Sequence, residues 1–170
     1  MMLLALAVFS LIVFVGVLLF LFDGFFGGLD FTSNRKTLLE VISVLKKKRL
    51  ESGSLIDLGS GKGGFALKLA RGLPQIKILG IDDNNFRIKY SKARAIFLNN
   101  IEFLKEDIFK TNVSKAHAVY IYLPKELMPE LEAKLKAELK PGAVVLTNKV
   151  SFPNWQPTEK INNLFIYVKE

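Results

Sequence analysis

Apolar and polar positions change period several times along the chain. Residues 1–22 carry no charged side chain, and only Ser10 and Gly16 interrupt the larger apolar ones. As a helix this run is about 33 Å long, enough for a hydrocarbon core of about 30 Å, and it predicts one membrane anchor. A cleaved signal peptide would want a basic start and a small-residue cleavage site. No Lys or Arg precedes the run, and Asp23-Gly24-Phe25-Phe26-Gly27-Gly28 follows it. The pattern therefore divides the chain into an anchor (1–22), a linker and pre-motif segment (23–33) and one domain (34–170).

Within the domain, Leu38, Val41, Ile42 and Leu45 recur at helical spacing over Asn34 to Arg49, with Ser33 or Asn34 as N-cap. Leu55 to Leu58 reads as a short buried strand leading into a glycine-rich turn, and Phe65 to Gly72 as a helix. Ile76 to Ile81 predicts a second strand. Phe86, Tyr90, Ala93 and Phe97 mark a helix from about Asn85 to Leu98. Strands follow at Ile101 to Leu104 and Ala118 to Tyr122. A helix through Leu127, Met128, Leu131, Leu135 and Leu139 stops at Lys140-Pro141-Gly142. Ala143 to Thr147 predicts a fifth strand and Leu164 to Val168 a sixth. This alternation implies an α/β fold: a Rossmann-like, mostly parallel sheet with helices on both faces and a ligand at the carboxyl ends of the strands.

Charge and composition narrow the chemistry. The chain has 24 Lys+Arg against 16 Asp+Glu, all beyond Phe22, for a net charge of +8. Lys46-Lys47-Lys48-Arg49, preceded by Arg35 and Lys36, lies after the apolar run. The positive-inside tendency then places the domain on the cytoplasmic side, at a prokaryotic cell membrane and against anionic lipid. Cys is absent and His117 is the sole histidine. Thiol chemistry and Cys- or His-rich metal sites are thereby excluded, and no metal is expected.

The turn Asp57-Leu58-Gly59-Ser60-Gly61-Lys62-Gly63-Gly64 holds four glycines in six residues after an acid. Gly59, Gly61 and Gly64 satisfy the dinucleotide pattern G-x-G-x-x-G, and Asp82 follows 23 residues after Gly59. A pyrophosphate at the next helix N-terminus would be repelled by the Asp57 carboxylate, whereas a cation would be attracted. S-adenosylmethionine, a sulfonium with an ammonium and no phosphate, suits that sign. Phe65 after Gly64 excludes a P-loop. Gly80-Ile81-Asp82-Asp83-Asn84 ends the second strand with a carboxylate able to accept from both ribose hydroxyls. NAD shares that need. Glu106-Asp107-Ile108 follows the third strand: Asp107 could accept from an adenine amino group or cap a helix, and Ile108 could pack on the ring.

These residues together resemble a class I, seven-strand S-adenosylmethionine-dependent methyltransferase. Further segments narrow the likeness: Tyr122-Leu123-Pro124, Leu139-Lys140-Pro141-Gly142-Ala143 and Phe152-Pro153-Asn154-Trp155-Gln156-Pro157. They resemble the membrane-anchored lysine methyltransferases of the adenine nucleotide translocase and the ATP synthase c-subunit, with their prokaryotic relatives. The resemblance implies S-adenosyl-L-methionine as cofactor, held by Asp57, Gly59, Ser60, Gly61, Gly63, Asp82, Asp83, Asn84, Asp107 and Ile108. It also implies a membrane-protein substrate with a lysine near the bilayer surface.

Tyr122, Pro124 and Trp155, with Leu123, are candidates for positioning the acceptor, with no general base assigned. Trp155 could equally be a core or membrane-interface anchor. A nucleic-acid acceptor is disfavoured, because Tyr122-Leu123-Pro124 lacks the Asp/Asn-Pro-Pro-aromatic arrangement. A small-molecule methyltransferase and a non-catalytic S-adenosylmethionine-binding module are the alternatives.

Overall fold

The computed structural model describes residues 2–26 and 33–170, with side chains of the first stretch described over 5–18. The chain forms two compact units, Met1–Asp30 and Phe31–Glu170. The first is a helix, α1 (Met2–Phe26). Apart from Ser10, its described side chains are apolar and exposed, among them Leu6, Phe9, Ile12 and Phe14. The expected membrane anchor is not met: among the described residues, no helix is long and apolar enough to cross a membrane. The single-pass arrangement, and the side of the membrane inferred from it, are thus not supported by the described residues. Most of the expected linker, 27–32, lies outside the described residues.

In the second unit the strands are β1 (Ser54–Leu58), β2 (Lys77–Asp82), β3 (Ile101–Lys105), β4 (Ala118–Ile121), β5 (Val144–Asn148), β6 (Glu159–Ile161) and β7 (Leu164–Val168). They form one sheet in the order β3-β2-β1-β4-β5-β7-β6. The first five are parallel, while β7 runs antiparallel to both β5 and β6. The sheet therefore closes with an antiparallel pair, where the apolar pattern showed only Leu164 to Val168. The missed strand β6 is three residues long and half exposed at the sheet edge, so Glu-Lys-Ile carries no buried alternation to read.

The helices are α2 (Arg35–Lys47), α3 (Gly64–Gly72), α4 (Asn85–Arg94) and α5 (Met128–Glu138). Asn34 caps α2, its side-chain oxygen accepting from Thr37 N at 2.8 Å. Alternate strand residues face opposite sides, as a parallel sheet requires. Leu55, Ile78 and Tyr120 pack with α2, α3 and α4, whereas Ile56, Leu58 and Ile121 pack with α5.

The stripe Phe86, Tyr90, Ala93, Phe97 located a helix, but α4 ends at Arg94, before Phe97, and the stripe is not its buried face. Phe97 is 92% exposed, and α4 turns Ile88, Ser91 and its C-cap Ala95 to the core instead. α4 lies close against the glycine turn there, with the Ser91 oxygen only 3.0 Å from where a Cβ on Gly63 would sit.

Candidate active site

The carboxyl ends of β1, β2 and β4 converge with the glycine turn at one crevice. Gly59 N and Ser60 N both donate to Ile81 O, at 2.9 and 2.8 Å, tying the turn to β2. Gly59 has φ +78°, and a Cβ there would meet Leu123 Cδ2 at 2.5 Å. Gly63, the N-cap of α3, has φ +73° and would place a Cβ 2.6 Å from Phe103 Cζ. Both positions need glycine for conformation and for space. The turn thus brings bare backbone close to Leu123, in the loop after β4.

Asp82, at the end of β2, is buried and organises the neighbouring loops. Its Oδ2 accepts from Gly61 N and its Oδ1 from Asn84 N, both at 2.9 Å. Asn84 caps α4, its side-chain oxygen accepting from Phe86 N at 2.9 Å and Arg87 N at 3.1 Å. That cap carries Arg87 back toward the acid, with Nη1 3.7 Å from Asp82 Oδ2. Arg87 was not singled out in the sequence. The available signal was its place one helical turn past an acid that ends a strand.

Asp57 lies inside β1, paired in register with Gly80 and Tyr120. Burial, and secondarily the Asp82 carboxylate, push its carboxyl up to about 7. It is therefore partly neutral near pH 7 in the ligand-free protein, and the fixed negative charge expected there is only partial. Tyr120 is also buried on this face, stacked on Phe65 at 3.8 Å and bonded to the Ser33 hydroxyl at 2.5 Å. Burial pushes its phenol well above the usual range. The Ser33–Tyr120 bond ties the segment before α2 to the centre of the sheet.

The crevice has a volume of about 280 Å³ and is lined by the predicted Gly59, Asp82, Asp83, Asp107 and Ile108. Arg87, Phe109, Leu123 and Leu127 complete it. Asp107 Oδ1 accepts from Phe109 N at 2.9 Å, and its Oδ2 lies 3.9 Å from Lys110 Nζ. One oxygen of that acid thus holds its own loop. Asp57, Ser60, Gly61, Gly63 and Asn84 are not among its lining residues; Gly61 and Asn84 reach it through their bonds to Asp82. A second crevice of about 290 Å³ lies among Ser54, Lys77 and Lys115 at the opposite, amino ends of β1 and β2. It contains none of the predicted residues.

The acceptor candidates are spread more widely. Tyr122 packs on the α2–α3 face of the sheet, with Lys149 Nζ 5.1 Å above its ring. Pro124 is exposed and accepts from Leu127 N at 3.2 Å, opening a 3-10 turn over Lys125–Leu127. Trp155 packs on the α5 face, stacked on Phe152 at 5.6 Å and 5.2 Å from Tyr167, with Lys136 Nζ 5.7 Å from its ring centre. The structure does not bring Trp155 and Tyr122 together.

The family model for the ANTKMT methyltransferase domain matches residues 57–159, which include the glycine turn, Asp82 and Asp107. The chain belongs to this family. It is by family a class I S-adenosylmethionine-dependent methyltransferase, with S-adenosyl-L-methionine as its cofactor. It is 32% identical to an ATP synthase c-subunit lysine N-methyltransferase of Xenopus laevis over 71% of this chain and 54% of that protein. It is 30% identical to a protein-lysine N-methyltransferase of Saccharolobus islandicus, over 62% of this chain and 67% of that one. The chain thus spans about half the length of the vertebrate relative. In fold it matches an RNA methyltransferase of Salinibacter ruber, with a TM-score of 0.72, 22% identity and coverage of 81% and 92%.

The residues present fit the cofactor. Gly59 brings bare backbone to the crevice wall, where a Cβ would collide with Leu123. Ser60 Oγ is buried with no hydrogen-bond partner among the described residues, a group whose desolvation a bound polar ligand would offset. Acids face apolar walls formed by Ile108, Phe109 and Leu127, a combination suited to a ribose beside a base.

Proposed function

We propose that this chain transfers a methyl group from S-adenosyl-L-methionine to the side-chain amine of a lysine in a protein. The observation that carries this reading is the coincidence of the family match with the crevice, in a chain similar to two proteins named as lysine N-methyltransferases. When bound, the cofactor supplies an electrophilic methyl on a sulfonium. In this reading Asp82 accepts the ribose hydroxyls while its backbone bonds hold the carboxylate in place. Ile108 and Phe109 cover the adenine, Asp107 accepts from its amino group with its second oxygen, and Asp83 and Asn84 border the ribose. Gly59, Ser60, Gly61 and Gly63 present backbone and hydroxyl groups to the amino-acid portion.

The acceptor must arrive as a neutral amine, although a free lysine has a pKa of about 10.4. An apolar wall beside a bound sulfonium favours loss of that proton, so positioning supplies most of the catalysis. Tyr122 suits this role because its ring already carries an alkylammonium, that of Lys149. Pro124 shapes the loop that carries Leu123 toward Gly59. Trp155 supports the α5 side of the domain. We extend the proposal to an acceptor at a lipid surface. The exposed, apolar side chains described on α1 ask for lipid contact, though not for a span.

The test is incubation of the full chain with methyl-tritiated cofactor and membranes from cells lacking it, followed by mass spectrometry of the labelled polypeptide. Methyl-lysine in a protein is the expected product. Label in nucleic acid, in lipid or in nothing would overturn the reading.

A further inference from the structure

Five of the six large apolar side chains described as exposed beyond residue 33 lie in one stretch: Phe86, Tyr90, Ile96, Phe97 and Leu104. Four of them belong to α4 and the turn after it. Tyr90 is 41% exposed, Ile96 73% and Phe97 92%. A soluble surface scatters such residues singly, so this clustering calls for a partner. Residues 85–100, which hold four of these five, contain Arg87, Lys89, Lys92 and Arg94 and no carboxylate. Lys89, Lys92 and Arg94 are exposed. The face is also held in shape: Tyr90 stacks on Phe86 with centroids 6.4 Å apart, and the Arg94 guanidinium lies 5.4 Å from the centre of the Tyr90 ring. Arg94 Nη1 is fixed by the Lys62 carbonyl at 2.8 Å.

We propose that α4 and its following turn form a docking surface for an anionic lipid headgroup layer, with Ile96 and Phe97 inserting and Lys89, Lys92 and Arg94 facing the headgroups. Apolar tips ringed by cations are the pattern of an interfacial helix. A second copy of the chain is disfavoured, because two such faces would oppose cations without carboxylates. The proposal stands on α4, independently of α1 and of the methyl-transfer reading. Its geometry would hold the crevice near the headgroups, since Asn84, the α4 N-cap, is bonded to Asp82.

The chain has no native cysteine, so Phe97→Cys in the full protein takes a polarity-sensitive fluorophore at one site. Vesicles of phosphatidylcholine with phosphatidylglycerol should shift its emission to the blue, and phosphatidylcholine alone should not. Lys89→Glu with Lys92→Glu should weaken the titration at least about fivefold per cation reversed, and added salt should weaken it further. Unchanged melting and unchanged binding of S-adenosyl-L-homocysteine would show that these variants fold. No shift on anionic vesicles overturns the proposal. So does a shift produced by raising protein concentration alone, which would mark a self-interface, or one produced only by RNA.

Discussion

Asp57 carries the sharpest pH signature in the domain. Its carboxyl is raised from 3.8 to about 7 by burial and then by Asp82. Between those values the unfolded chain releases a proton that the folded one retains, so folded stability falls as pH rises toward 7. Asp57→Asn should therefore melt above the wild type at pH 8, and the two should converge below about pH 4, as calorimetric scans would show. A bound cation would expel the same proton. Cofactor affinity should then rise between about pH 6 and 8, and the binding heat should vary with the ionisation enthalpy of the buffer. A pH-independent affinity would remove Asp57 from the site's electrostatics. Asp82→Ala should weaken binding by roughly 1.5 to 3 kcal/mol, the range for hydrogen bonds to a charged group, read by isothermal titration. Tyr122→Ala should raise KM for the acceptor more than it lowers kcat, while Tyr122→Phe, which keeps the ring, should behave like the wild type.

The glycine turn works because β1, β2 and the loop after β4 press on it together. Gly59→Ala adds a Cβ 2.5 Å from Leu123 Cδ2 and forces a φ of +78° on a residue that resists it. Loss of cofactor binding should follow, with destabilisation of about 1 to 3 kcal/mol. Leu123→Ala in that background should restore only part of it, since space returns and the backbone strain does not. Equal denaturation midpoints for Gly59→Ala and the wild type would contradict this. The turn and the two acids after β2 and β3 were legible because glycine and carboxylate leave explicit traces at strand ends. Arg87 left only its spacing after Asp82, and was one cation among many until the Asn84 cap turned it toward that acid. The apolar stripe of α4 misled for a physical reason: periodicity reports that a face is apolar, but not whether the core or another surface covers it.

Across the whole molecule, the alternation of strands and helices was enough to expect a mostly parallel sheet with its ligand at the carboxyl ends. The antiparallel closure was less visible, because β6 is a short edge strand whose Glu159 pairs with Lys47 at 2.9 Å rather than with the core. The basic charge was visible from composition, but its concentration beside exposed aromatics on α4 depends on which way that helix faces. The amino-terminal run shows the converse: composition predicted a span that the described residues do not carry. All of these features bear on where the protein works. The central claim, however, is that the crevice between the glycine turn, Asp82 and Asp107 holds the cofactor. A crystal structure of the chain with S-adenosyl-L-homocysteine tests it most directly. The ribose hydroxyls are expected on Asp82 and the adenine against Ile108. Ligand bound instead at the opposite crevice of Ser54, Lys77 and Lys115, or Asp82 left without contact to it, would show that the cofactor site lies elsewhere.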